Sequence, residues 1–435
     1  MEKFLKYFAG VVVLALILAA CTSSPSAEPS GESAAPSETG AEEPAAVCEA
    51  MDLGCFELPA GEPITVASAL AITGDVAFLG NDSNFGIQVA QEERGQVLGR
   101  DVEVLHEDAG CGDAASGQTA AEAIVANPAV MGVIGTTCSR TAVPACPVVE
   151  EAGLIMITPS NTAPGLTNPD HEEWCGENFF RVAYNDKVQG AAVAQFACDE
   201  LGAATAATIH DGSPYAEQLQ QVFVDEFASI CEGETVAQDA INVGDTDFRQ
   251  LLTTISTANG GTAPDILFFP VFDPEGPAIA NQSQEIPGLA NTTLIGADGV
   301  KDQGFIDVAG DTAEAVGMYF SGPDLNYGDR YTDEFLPAYR EVSGEDNPIA
   351  PYHAHGYDSY NILLDAIEFA HVGDDADGTS YFSKEAIRAF VAGLTDYDGL
   401  TGTLTCDEFN DCGAPYVSIS QLEDGAFVDV YTNRP

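Results

Sequence analysis

At 435 residues the chain is too long for one ordinary domain, and 45% hydrophobic residues supply enough apolar surface for packed cores. Its 69 acidic and 14 basic residues leave a net charge of −55. That balance excludes nucleic-acid binding and adhesion to anionic lipid, because no basic surface is available to meet phosphates. So few lysines among so many carboxylates suggest a salt-tolerant surface, since self-repulsion is severe at low ionic strength; a merely acidic surface is the alternative.

The chain opens with Lys3 and Lys6 followed by an apolar run from Phe8 to Ala20, too short for a typical membrane span and of the form of a secretory signal. It ends Leu18-Ala-Ala-Cys21, which resembles a bacterial lipobox and implies cleavage before Cys21 and lipidation of its thiol. From Thr22 to Ala46 every residue is Ser, Thr, Pro, Ala, Gly or Glu, a composition that cannot bury enough apolar surface to fold. Residues 1–20 therefore read as a signal peptide and 21–61 as a lipidated cysteine with a flexible acidic tether.

From Ile64 short apolar strands alternate with helices. Strand Ile64–Leu70 leads to a helix from about Phe85 to Arg94. Strand Val102–Glu107 leads to a helix that Asp113 can cap and that stops before Pro128. Strand Val130–Ile134 enters a Ser-containing loop and a helix opening near Arg140. A second buried strand, Leu154–Ile157, ends in the hydroxyl-rich loop Thr158-Pro-Ser-Asn-Thr162. After Phe179–Ala183 the alternation restarts, with a helix at Asp186–Leu201 and a strand at Ala204–His210. A helix with the apolar stripe Leu219, Val222, Phe223, Phe227 and Ile230 follows. Strand Val236–Ile241, helix Phe248–Ala258, strand Ile266–Pro270, helix Gly276–Gln284 and strand Thr293–Gly296 complete the series. Helices near Thr332–Val342, Tyr357–Ala370 and Lys384–Val391 lead to a β-rich end at Gly402–Cys406, Tyr416–Leu422 and Phe427–Tyr431. Strand–helix alternation of this kind builds parallel sheets, and two runs of it predict an α/β protein of two similar lobes. Ligands of open α/β sheets bind at the carboxyl edge of the strands, where both hydroxyl-rich loops fall.

Setting Cys21 aside leaves ten cysteines, an even number in an exported chain, with no CxxC for zinc or thioredoxin-type chemistry. Cys48 with Cys55 reads as a local clip and Cys406 with Cys412 as the closure of a hairpin. Cys111 and Cys138 each follow a strand in consecutive βαβ units, so both belong at one sheet edge. Cys198 and Cys231 sit near the ends of consecutive helices, and Cys146 with Cys175 is left by elimination.

Several segments in this order carry a resemblance. They include Leu105-His-Glu-Asp-Ala-Gly-Cys111, Ile134-Gly-Thr-Thr-Cys-Ser139, Glu151-Ala-Gly-Leu-Ile-Met-Ile-Thr-Pro159, Gly244-Asp-Thr-Asp-Phe248, Gly296-Ala-Asp-Gly299 and Gly399-Leu-Thr-Gly402. From about Ile64 to Val430 the chain resembles the branched-chain amino acid type of substrate-binding proteins of ATP-driven ABC importers, of the periplasmic binding protein type I fold. The resemblance implies two Rossmann-like lobes joined by a hinge, 62–184 plus 322–398 and 185–321 plus 399–435, closing over a ligand in a central cleft. It implies no cofactor, a permease partner and a monomeric state.

By the same resemblance Ser139 and Thr162, with neighbouring backbone N–H groups, match positions that take an amino acid's carboxylate, and Ser160 offers a backbone carbonyl to its ammonium beside Asn161. Asp298 matches an acid that pairs with the ammonium, and Tyr215 an aromatic contact near it. A zwitterion needs such an anion hole and a carboxylate a few ångströms apart, with apolar walls for the side chain. Helix capping is the plain alternative for Ser139, Thr162 and Asp298, and a simple helix start for Tyr215. Near Phe78, at Leu79 and at Phe272 the family often has tyrosine, Asp298 is shorter than the common glutamate, and Arg140 stands where a small residue is usual. Arg140 either faces solvent or meets a second carboxylate on the ligand, which keeps acidic amino acids and small amides open beside aliphatic ones.

Enzyme motifs are missing: neither G-x-S-x-G nor H-E-x-x-H occurs. His353 and His355 are too close in sequence for a metal pair, and Asp374-Asp-Ala-Asp-Gly378 lacks the later glutamate of a calcium loop, so no metal site is expected. A ligand-sensing receptor subunit is the remaining rival to transport.

Overall fold

The computed structural model describes residues 43–435; the expected signal peptide, Cys21 and the part of the tether up to Glu42 lie outside the described residues. Two sheets form the centres of two lobes. The first is five-stranded and wholly parallel, in the order Val102–Asp108, Ile64–Leu70, Val130–Gly135, Met156–Thr158 and Phe179–Arg181. All seven residues of Ile64–Leu70 are buried, the continuous apolar run expected of a parallel strand covered on both faces.

The second sheet has seven strands, in the order Ala426–Thr432, Val417–Glu423, Tyr319–Pro323, Thr293–Gly296, Ile266–Phe269, Thr205–His210 and Glu234–Ala240. The two C-terminal strands join it antiparallel at one edge and the others are parallel. Between Pro323 and Val417 the chain returns to the first lobe. There the helices Leu336–Ser343, His353–Phe369 and Lys384–Ala392 bury Tyr339, Leu363, Ile387 and Val391 in its core.

All five cysteine pairings read from the sequence are present: Cys48–Cys55, Cys111–Cys138, Cys146–Cys175, Cys198–Cys231 and Cys406–Cys412. Other expectations need correction. Residues 44–61, read as tether, carry regular structure, beginning with the helix Pro44–Glu49. The strand Cys55–Leu58 pairs antiparallel with Ser380–Ser383 and buries Phe56 and Leu58 in the first core. Residues 399–414 pack with the first lobe rather than the second. Leu400, Leu404 and Cys412 enter its core, and Cys412 N–H donates to Arg181 O at 2.8 Å.

The helix expected from Phe85 begins at Ala77. Its early turns hide polar residues, which masks the apolar period. Asp82 is buried and accepts from Tyr339 Oη at 2.6 Å and from the N–H groups of Tyr352 and His353 at 2.8 and 2.7 Å. Close packing against the helix His353–Phe369 explains Gly86, where a Cβ would lie 1.8 Å from His353 O. The sequence reading also omits the helix Gln303–Val316, capped by Asp302 Oδ1, and the strand Tyr319–Pro323.

Candidate functional site

Parallel strands of both sheets end toward a cavity between the lobes. In the first lobe Val130–Gly135 runs into Thr136–Cys138, and Ser139 opens the helix Ser139–Glu151. The first-turn N–H groups of a helix have no intrahelical partner and carry partial positive charge. Met156–Thr158 runs into Ser160–Thr162, and Thr158 Oγ1 accepts from the N–H groups of Ser160 and Asn161 at 3.2 and 2.9 Å. Arg181, fully buried and ion-paired with Asp411 at 2.7 Å, donates to the carbonyls of Asn161 and Ala163 at 3.2 and 2.8 Å. A guanidinium fork is suited to holding two carbonyls at once, so Arg181 sets the path of this loop.

In the second lobe Asp298 follows the strand Thr293–Gly296 and is buried. Tyr215 Oη and Gln189 Nε2 both donate to its Oδ1 at 2.8 Å, and Tyr352 Oη donates to Oδ2 at 2.7 Å. Burial raises the Asp298 carboxyl above the usual range, against the three donors that lower it. Burial and the Asp298 charge push the hydroxyls of Tyr215 and Tyr352 well above the ordinary tyrosine value, so both stay protonated donors.

Of the residues singled out in the sequence, Ser139, Ser160, Tyr215, Phe272, Asp298 and Leu79 line one narrow pocket, its free volume in this closely packed state about 10 Å3. Thr137, Cys138 and Tyr352 complete its lining. Tyr215 and Phe272 meet with ring centroids 5.0 Å apart, and Leu79 packs with Cys111, Cys138 and Tyr352 as an apolar wall. Asn161 and Thr162 are buried but outside that lining. Arg140 is not brought in: its guanidinium reaches across the cleft to Asp211 O at 3.4 Å. A wider groove beside His371 lies elsewhere, and its Arg100 is spent on Pro59 O, Glu62 O, Gly378 O and Ser380 Oγ.

Asp186 was missed. It is fully buried at the start of the helix Asp186–Asp199, and its N–H donates to Thr162 O at 3.0 Å. Neither of its carboxyl oxygens makes a well-formed hydrogen bond among the described residues, nor do Thr162 Oγ1 and Asn161 Nδ2; the nearby Thr162 hydroxyl and the Arg181 charge are what favour its anion. Burial, then the charge of Asp298, push its carboxyl well above the usual range. A group of orphaned buried polar atoms beside a cavity calls for a ligand or ordered water. An acid in a helix's first turn is too ordinary a pattern to have flagged it. Tyr352 and Gln189 were missed as well, with no motif to mark them.

Such a fold and cavity define a class of bilobed solute-binding proteins. Residues 63–420 match the family model described as periplasmic binding protein, and the chain belongs to that family, whose members bind solutes rather than transform them. It is 29% identical over 354 residues to the Leu/Ile/Val-binding protein BraC3 of Rhizobium johnstonii, covering 80% of this chain and 90% of the relative. Among solved structures, a leucine binding protein of Thermotoga maritima superposes with a TM-score of 0.74 at 26% identity, covering 86% of this chain and 99% of that one. An ABC transporter solute-binding protein of R. palustris in complex with benzoate shares the fold, with a TM-score of 0.71 at 18% identity, covering 86% of this chain and 97% of that one. Among the described residues no helix is long and apolar enough to cross a membrane, and no group of metal-ligating side chains is assembled.

Proposed function

We propose that this protein binds one α-amino acid with an aliphatic side chain in the interlobe cavity and, as a monomer, delivers it to the permease of an ABC importer. In this reading Cys21 holds it by lipid to the outer face of a bacterial membrane. Ser139, Thr162 and nearby N–H groups take the ligand carboxylate. The carbonyl of Ser160, with Asp298 and Asp186, takes the ammonium. Leu79, Phe272 and Cys138 form the side-chain wall.

The observation that carries the reading is the buried Asp298 carboxyl facing a hydroxyl-bearing loop across the pocket, with the buried Asp186 behind that loop's Thr162. Two acids in so dry a place stay ionised only beside positive charge, and a ligand ammonium would add to what the buried Arg181 and Lys301 supply. A ligand such as benzoate carries no cation and would add no such charge beside Asp186. Arg140, the cation weighed in the sequence against a second ligand carboxylate, lies off the cavity lining.

The test is a thermal-shift and calorimetry panel on the folded body at low and high salt, with each amino acid and benzoate. A ligand at one hundred times its dissociation constant adds about 2.7 kcal/mol of stability. Stabilisation by leucine, isoleucine or valine is expected. A shift with benzoate but none with any amino acid overturns the assignment.

A further inference from the structure

The lobes touch at a place that the cavity does not include. Gln218 lies on the second-lobe helix Pro214–Cys231, and its side-chain amide spans two groups of the first lobe. Its Oε1 accepts from Gly165 N–H at 2.6 Å and its Nε2 donates to Glu173 Oε2 at 2.6 Å. Both partners sit between the strands Met156–Thr158 and Phe179–Arg181, Gly165 in the short turn Pro164–Thr167. A Cβ at Gly165 would lie 2.4 Å from His171 Nδ1, so glycine is what lets this backbone amide stand at the interface.

The placement couples the contact to the cavity at both ends. Gln218 is three residues beyond Tyr215 on one helix, so the two share a face, and Tyr215 is a donor to Asp298. Gly165 is three residues beyond Thr162, and Ala163 N–H between them donates to Ser139 Oγ at 3.4 Å. Neither Gln218 nor Glu173 lines the cavity. The amide is also the right chemistry here. It offers an acceptor and a donor to two fixed partners, whereas an acid at 218 would face the Glu173 carboxylate and its neighbours Glu172 and Glu217.

We propose that Gln218, with Gly165 N–H and Glu173, is an affinity-determining clasp that holds the lobes shut over the bound solute. It is a positioning residue: it sets how long the closed form lasts, not which solute enters. The proposal rests on the solute-binding reading above. Loss of contacts made only in the closed form appears chiefly in the dissociation rate.

The test uses the folded body with spin labels on the two lobes, with and without L-leucine, and stopped-flow release of L-leucine. Gln218→Ala is expected to speed leucine release about tenfold, equivalent to about 1.4 kcal/mol. The association rate, the leucine-to-valine preference and the melting temperature should not change. Gln218→Glu alone should be worse than Gln218→Ala. Gln218→Glu keeps an acceptor for Gly165 but loses the donor to Glu173; combined with Glu173→Gln it regains a donor–acceptor pair between the two side chains, and should bring release back to within about threefold of wild type. If leucine does not bind, the ligand assignment fails, yet the spin-label distances still judge the clasp: Gln218→Ala must shrink the short-distance population of the solute-free protein. Equal distance distributions and equal release in wild type and Gln218→Ala, or no rescue by the double exchange, overturn it.

Discussion

Asp298 and Asp186 are two buried acids on the same side of the cleft, and they are treated in opposite ways. Asp298 receives well-formed hydrogen bonds from Tyr215, Gln189 and Tyr352, whereas Asp186 has only the nearby Thr162 hydroxyl and the more distant Arg181 charge in its favour. Donors of that number already compensate a carboxylate, so Asp298 is fixed in place and partly satisfied before any solute arrives. Asp186 carries the desolvation cost with much less compensation. The comparison teaches that the acid easiest to find by family likeness is the one the fold has already occupied, and the open acceptor is the other.

The largest expected effect follows directly. Asp186→Asn removes a carboxyl that burial already disfavours as an anion and that only a bound ammonium would keep charged, so it should not destabilise the solute-free protein while weakening leucine binding by about a hundredfold, or roughly 2.7 kcal/mol. Asp298→Asn leaves three donors aimed at a poorer acceptor, so it should destabilise the solute-free protein and weaken binding by only about tenfold. Paired calorimetry and thermal melts on the two variants decide this. If Asp298→Asn is the more damaging to binding, the assignment of the open acceptor is wrong.

A third buried acid sharpens the point by pH. Asp302 caps the helix Gln303–Val316 through Oδ1, while its Oδ2 has no partner, and burial lifts its carboxyl to about 7. Its folded value lies above its unfolded one, so the fold is favoured while the group is protonated, and that stability is lost as pH rises from about 4 through 7. Asp302→Asn keeps a good cap and abolishes the titration. The variant should match wild type at pH 4 and exceed it at pH 8 by on the order of 2 kcal/mol, measured by denaturant titration at both values. A constant difference across the range would show that charge burial is not the cause.

Tyr352→Phe removes one of the three donors to Asp298 without changing the shape of the wall. One hydrogen bond to a charged acceptor is worth about 1.5–3 kcal/mol at most, and two donors remain, so a loss of about 1 kcal/mol in stability and under tenfold in leucine affinity is expected. The same substitution removes the contact of Tyr352 with Tyr184 Oη, 3.3 Å away, which should be nearly silent. An unchanged melting temperature would mean that Tyr215 and Gln189 suffice.

The first-lobe half of the cavity was legible because it is local. Two apolar strands ending in hydroxyl-bearing loops announce both the sheet edge and the polar groups presented there, and Ser139 and Ser160 line the cavity accordingly. The acid half is assembled from distant segments: Gln189, Tyr215, Asp298 and Tyr352 come from four separate elements, and no spacing rule links them. Asp298 and Tyr215 were reached only through family likeness. The N-terminal ordered segment was misjudged for a related reason. Phe56 and Leu58 bury against strands more than three hundred residues away, so composition near the tether outweighed a contact that only the fold supplies.

Arg140 gives the smallest expected effect and the most direct check on solute class. Its guanidinium reaches only a backbone carbonyl, Asp211 O at 3.4 Å, near the outer limit of a hydrogen bond and partly in contact with solvent. A long, poorly compensated contact of this kind contributes a few tenths of a kcal/mol, so Arg140→Ala should change leucine affinity by less than about threefold. Glutamate binding should be undetectable in both proteins, since the residue removed was never in position to meet a second carboxylate. The alternative has a distinct signature. If wild type binds glutamate and Arg140→Ala abolishes it, the side chain swings into the cavity on binding, and the solute is acidic after all.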